Sequence, residues 1–149
     1  MEKDEYISEV LKVLDSHSAE IKGKFEDALD SLPPKAVAVE VNVFSDQDGE
    51  GFLTIRVSLD GPDLYVLNKK IEEKACLFDT VMGSDGFEPP LPMLDPFDIE
   101  FDSPDILVDT ATRWLHKELS QTNLSKVNLP ITILNPEGYG TVGAIKLNG

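Results

Sequence analysis

Apolar positions in the first thirty residues recur at helical spacing. Ile7, Leu11, Leu14, Ile21, Phe25, Ala28 and Leu32 follow one another at steps of three and four, with Ser18 the only polar interruption. The pattern predicts a long N-terminal helix, or two helices broken at Ser16-His17-Ser18. Pro33-Pro34 ends it, because proline disfavours helical geometry in the residue before it. From Lys35 the period drops to two. Val37, Val39, Val41 and Val43 alternate with Ala38, Glu40 and Asn42; after a turn-forming cluster from Ser45 to Gly51, Leu53, Ile55, Val57 and Leu59 alternate with Thr54, Arg56 and Ser58. Two β-branched runs around such a cluster predict a hairpin. Asp60-Gly61-Pro62-Asp63 stops the second strand, and Leu64, Leu67, Ile71 and Ala75 predict a short helix with Lys69, Lys70, Glu72, Glu73 and Lys74 in water.

Residues 82–96 are too rich in proline and glycine for regular structure and read as a long connection. Phe87, Leu91, Met93 and Leu94 are the side chains able to pin it to the body. Phe97, Ile99 and Phe101 then alternate with Asp98, Glu100 and Asp102, the mark of a strand with one buried face and one row of carboxylates. Ser103 reads as the N-cap of a following helix, with Pro104 as its first residue and Asp105 in its first turn. Its apolar stripe is Leu107, Ala111, Trp114, Leu115 and Leu119, and it should end near Asn123. Two short strands, Leu129 to Leu134 and Thr141 to Leu147, close the chain. The order predicts one α+β domain over residues 1–149, an antiparallel sheet of about five strands with helices packed on one face.

Charge changes the picture more than overall composition does. The formal net charge is −15, from 28 acidic against 13 basic side chains. Such a balance opposes direct contact with nucleic acid or anionic membranes and favours basic partners. The distribution is uneven. Between Ala75 and Thr112 there is no Lys, Arg or His, and the nine acids there (Asp79, Asp85, Glu88, Asp95, Asp98, Glu100, Asp102, Asp105 and Asp109) carry −9 of the −15. A single cysteine, Cys76, permits no intramolecular disulfide, and the first residues lack the pattern of a secretory signal, so the expected setting is the cytoplasm.

Candidate chemistry is sparse. Gly138-Tyr139-Gly140-Thr141-Val142-Gly143 matches G-x-G-x-x-G, but a dinucleotide site needs a helix opening at the glycines and an acid about 20 residues on, and neither follows in this sequence. Asp46-Gln47-Asp48-Gly49-Glu50-Gly51 resembles the start of a calcium loop, yet its twelfth position is Val57 and its flanks are strands. His17, His116 and Cys76 do not make a conventional zinc set without carboxylates. No nucleophile signature occurs. The chain therefore reads as a non-enzyme without a cofactor.

What stands out is the acidic constellation. On a strand, alternate residues are about 6.6 Å apart, so Asp98, Glu100 and Asp102 would present a row of carboxylates that becomes favourable when a cationic surface neutralises it. In size, acidity and α+β order the chain resembles the immunity proteins that accompany bacterial toxins. That resemblance implies a cytosolic binding protein that neutralises a basic toxin, in some cases a nuclease, by covering its surface. The expected docking face comprises Asp95, Asp98, Glu100, Asp102, Asp105 and Asp109 with Asp46, Asp48 and Glu50, and Phe87, Leu91 and Met93 as apolar anchors. Two rivals are a metal-dependent enzyme built on clustered carboxylates and a scaffold domain whose acidity serves only solubility.

Overall fold

A computed structural model describes residues 1–46 and 48–148. The N-terminal pattern resolves into two helices, α1 (Lys3–Ser16) and α2 (Ser18–Leu29). His17 makes the break. Its backbone N–H bonds to Leu14 O instead of continuing the α ladder, while its ring Nδ1 lies 2.9 Å from Val13 O, the carbonyl left over. In α2 the expected Ile21, Phe25 and Ala28 are buried; in α1 the buried set is Tyr6, Val10, Val13 and Leu14, rotated one position from the expected stripe.

The hairpin forms as expected. β1 (Ala38–Ser45) and β2 (Leu53–Asp60) pair antiparallel from Ala38↔Asp60 to Ser45↔Leu53, so Val39, Val41 and Val43 share a face with Leu59, Val57 and Ile55. Next come α3 (Leu64–Lys70), a short 3-10 turn at Glu72–Lys74, and a strand not expected from the sequence, β3 (Cys76–Asp79). β3 lacks alternation because a register shift at Ile55/Arg56 lets consecutive Leu77 and Phe78 both turn inward. The Pro/Gly-rich stretch is also more regular than expected: β4 (Val81–Gly83) and β5 (Gly86–Glu88) make a separate two-stranded hairpin.

α4 (Ser103–Leu119) buries the whole predicted stripe, and Trp114 Nε1 donates to Asp15 Oδ1 at 2.8 Å, tying α4 to α1. The last strands are β6 (Ile131–Leu134) and β7 (Ile145–Lys146). The five-stranded sheet runs β3-β2-β1-β6-β7. One junction departs from the expected antiparallel order: β6 lies parallel to β1, with Val39↔Ile131 and Val41↔Ile133, so the sheet is mixed. The chain reaches β6 only after α4, and a helical crossover delivers a strand parallel to its neighbour where a tight turn cannot. The inner face and the helices enclose one contiguous core; on the outer face Glu40, Arg56 and Thr132 meet water to different degrees.

Candidate functional site: the acidic end of the sheet

Sheet topology gathers the acids that sequence separates. β1 and β6 both end at the Ser45 side, and β3 ends beside Leu53, where Thr80 N bonds to Leu53 O. Three loops therefore meet at one end of the sheet: residues 46–52, 80–102 and 135–142. Ser103 Oγ donates to Gly49 O at 2.9 Å, and Leu94 N donates to Glu50 O at 2.9 Å. Two glycines allow this approach. Gly49 has φ +75° and a Cβ there would meet Ser103 Oγ at 2.8 Å; Gly51 has φ +113° and a Cβ would meet Pro92 O at 2.7 Å. The loop carrying Asp46, Asp48 and Glu50 thus lies beside the segment from Leu94 to Ser103.

The carboxylates there divide into two kinds. Asp46 closes its own loop: Oδ2 accepts from Glu50 N at 3.0 Å, and Oδ1 from Gly51 N and Phe52 N, each at 3.1 Å. Asp102 accepts from Asp105 N at 3.1 Å and is the N-cap of α4, in place of the expected Ser103, whose hydroxyl is used on Gly49. Asp105 Oδ1 accepts from Gly140 N at 2.7 Å. Asp109, one turn on and only 6% exposed, accepts from Thr141 N at 2.7 Å, Val142 N at 3.0 Å and Thr141 Oγ1 at 2.8 Å. Burial pushes the Asp109 carboxyl up, but the bonds from Val142 and Thr141, with Arg113 nearby, overcome it and hold it below the usual carboxylate range. In the glycine-rich run at 138–143 the amide groups of Gly140, Thr141 and Val142 are occupied by α4 carboxylates, while Gly138 N bonds to Asn135 O.

The second kind faces water. Asp48, Asp95, Asp98 and Glu100 are exposed and Glu50 half-buried. Among the described residues, ion pairs join Lys12–Glu9, Lys22–Glu118, Lys24–Glu20, Lys69–Glu72 and Lys126–Asp30, and none involves an acid at this end. Lys3 lines a hollow of about 390 Å³ with Asp98, Glu100 and Phe101, and with Arg113 it lines a second hollow of about 470 Å³ beside Asp102, Asp105 and Asp109.

The segment carrying Asp98 and Glu100 is not the strand expected from alternation. Asp95-Pro96-Phe97-Asp98 is a tight turn: Asp98 N bonds to Asp95 O at 3.0 Å and Phe97 N to Asp95 Oδ1 at 3.0 Å. Aspartate at the first position and proline at the second are the residues this turn favours, and the local hydrogen bonds prevail over the alternating pattern. Ile99 and Phe101 do pack against the core, Phe101 5.5 Å from the Tyr6 ring. Phe97, expected inside, points to solvent and is 96% exposed. The expected anchors behave differently: Phe87 and Leu91 are buried and pin the loop, with Phe87 packed on Phe52 at 4.5 Å between ring centroids, whereas Met93 is 53% exposed. Phe97 is the apolar residue that the sequence reading missed, and the Asp-Pro-Phe-Asp turn signature was the signal for it.

No group of three His, Cys, Asp or Glu among the described residues is arranged to share a metal ion, and no helix is long and apolar enough to cross a membrane. Residues 1–149 match a family of unknown function (DUF6389), and the chain belongs to that family. Neither a curated protein nor a solved structure matches it.

Proposed function

We propose that this member of a family of unknown function is a binding module that docks its acidic end onto a basic protein, in the manner of an immunity protein neutralising a basic toxin. The observation that carries the reading is Phe97, exposed at the tip of a proline-locked turn between Asp95 and Asp98 with Glu100 close by in sequence. An exposed aromatic ring surrounded by charge is the composition of an interface anchor with a polar rim. The turn fixes the backbone that carries the ring before binding, so little backbone freedom is lost on association. Asp48, Asp95, Asp98 and Glu100 supply long-range attraction, which raises the rate of encounter with a cationic surface by about 10- to 1,000-fold.

The test is association kinetics with a captured basic partner across about 50 to 500 mM salt, a range over which exposed charges become screened. The triple variant Asp98→Asn, Glu100→Gln, Phe97→Ala is expected to bind about 30- to 100-fold more weakly, with a flatter salt dependence, the rate and anchor contributions multiplying. Unchanged affinity and salt slope in that variant would remove the acidic end as the docking face.

A further inference from the structure

The β4–β5 hairpin is rooted at the acidic end of the sheet and otherwise has no strand beside it. Its root is Thr80, whose backbone N–H and hydroxyl both donate to Leu53 O, and Phe87, buried on Phe52, holds its middle. In the sheet order β4 and β5 have only each other. Their register is Val81↔Glu88, Met82↔Phe87 and Gly83↔Gly86 around a two-residue turn. Such a turn makes Gly83 and Gly86 a hydrogen-bonded pair, so the next pair out, Met82 with Phe87, is one without those bonds. The N–H and C=O of Met82 therefore point away from β5, and no backbone group among the described residues bonds to them. Open edges are ordinarily guarded by lysine or proline, and Val81-Met82-Gly83 has neither.

The side chains around this edge define what it fits. Val81 and Met82 are each about half exposed, one on either face of the ribbon. Met82 stands opposite buried Phe87. On the other face Val81 stands opposite Glu88, whose carboxylate lies over Gly83, where a Cβ would meet Glu88 Oε1 at 2.7 Å. Asp79 and Asp85 are close by in sequence. With Glu88 they have no ion pair among the described residues, and no base occurs between Ala75 and Thr112. An outward N–H and C=O on one residue are met together by another extended backbone, and the acids around them select a basic one. A second copy of this chain would bring the same acids and be repelled. We infer that the open edge of β4 takes an extended basic segment of the partner as a third strand. The residue opposite Met82 is apolar and covers it; its two neighbours, on the Glu88 face, are lysine or arginine. This rests on the acidic end being a docking face and adds the chemistry of what docks, a short strand that alternates basic and apolar residues.

The probe is the peptide acetyl-Lys-Val-Lys-Val-Lys-Val-Lys-amide, titrated into the isotope-labelled full chain and followed by NMR. Shifts are expected from Val81 to Glu88, with slowed hydrogen exchange at the Met82 amide. N-methylation of the peptide's valines keeps every charge but removes the donors that face Met82. It should weaken binding at least about tenfold, the order of one or two hydrogen bonds. The same peptide with Glu for Lys should not bind. Glu88→Lys should weaken binding of the lysine peptide about tenfold with an unchanged circular dichroism spectrum. The Phe97→Ala, Asp98→Asn, Glu100→Gln variant should still bind it at β4, so the edge and the docking face are tested apart. Absence of binding, equal binding by the N-methylated peptide, or shifts confined to Asp95–Glu100 would each overturn the inference, whatever becomes of the docking face.

Discussion

Asp105 and Asp109 lie a few residues from Asp98 and Glu100 in the same base-free stretch, yet the two pairs do opposite things. The α4 pair turns onto the 140–142 loop and satisfies three successive backbone N–H groups. The other pair, on and just after the Asp95–Asp98 turn, is exposed with no ion-pair partner among the described residues. Loop amides have no ladder to join and must find acceptors elsewhere. Where such amides approach, a carboxylate becomes a structural clamp; where none do, it remains a surface charge. Charge density along a sequence counts the two kinds together.

The sharpest way to break this contrast is Asp109→Ala. It removes the charged acceptor of Thr141 N–H, Val142 N–H and the Thr141 hydroxyl; Thr141 is exposed and Val142 half-buried, so these donors can turn to water, and the loss should be about 2 kcal/mol, the order expected for hydrogen bonds to a charged group. Urea denaturation would show it as a lower midpoint, while binding at the acidic end by the folded protein stays the same. Asp98→Asn with Glu100→Gln should instead change stability by less than about 0.5 kcal/mol, as exposed substitutions usually do, and leave the midpoint nearly unmoved. If both variants unfolded at the wild-type midpoint, the clamp would have no energetic meaning and the two kinds of acid would be one.

Much of this arrangement was legible in sequence, and the parts that were not have physical reasons. The α4 stripe from Leu107 to Leu119 and the alternation of the hairpin both report burial of one face, which periodicity measures directly. Leu77 and Phe78 broke the alternation at a bulge, so β3 gave no signal. The parallel junction of β6 with β1 depends on where α4 crosses, a tertiary fact with no local mark. At Phe97, alternation and turn chemistry competed within the same five residues; Pro96 and the Asp95 carboxylate prevailed, and the ring expected inside became the most exposed large apolar side chain. The convergence of Asp46–Glu50 with Asp95–Asp105 was anticipated only as shared acidity. In sequence, the glycines that let the segments touch, Gly49 and Gly51, look like ordinary turn residues.

Within the exposed set the anchor and the charges can be separated. Phe97→Ala should weaken partner binding by about tenfold, chiefly through faster dissociation, because a desolvated aromatic contact forms late in docking. Asp98→Asn with Glu100→Gln should have a smaller effect on affinity, about threefold to tenfold, seen in the association rate and its salt dependence. Surface-plasmon kinetics distinguishes the two. A charge variant that changed only dissociation would mean these carboxylates make close contacts in the complex and do not act by steering.

The smallest effect is the most specific to the clamp. Asp109 has a pKa below its ordinary value of 3.8 in the folded protein. The unfolded chain therefore takes up the proton first as pH falls, and the stabilising contribution of Asp109 is complete above about pH 3.8 and lost as pH drops through the lower folded value. Asp109→Asn keeps one acceptor oxygen for the Thr141 and Val142 amides and can donate its own N–H to the Thr141 hydroxyl, but it has no proton to gain. Its denaturation midpoint should lie below that of the wild type at neutral pH and fall less steeply below about pH 4, so that the two curves converge in acid. Because other carboxylates titrate in the same window in both proteins, only the difference between the curves reports on Asp109. Curves that stay parallel down to pH 2 would mean the bonds from Thr141 and Val142 do not depend on the charge they surround, and the inward pair would then differ from the outward pair in position but not in its response to protons.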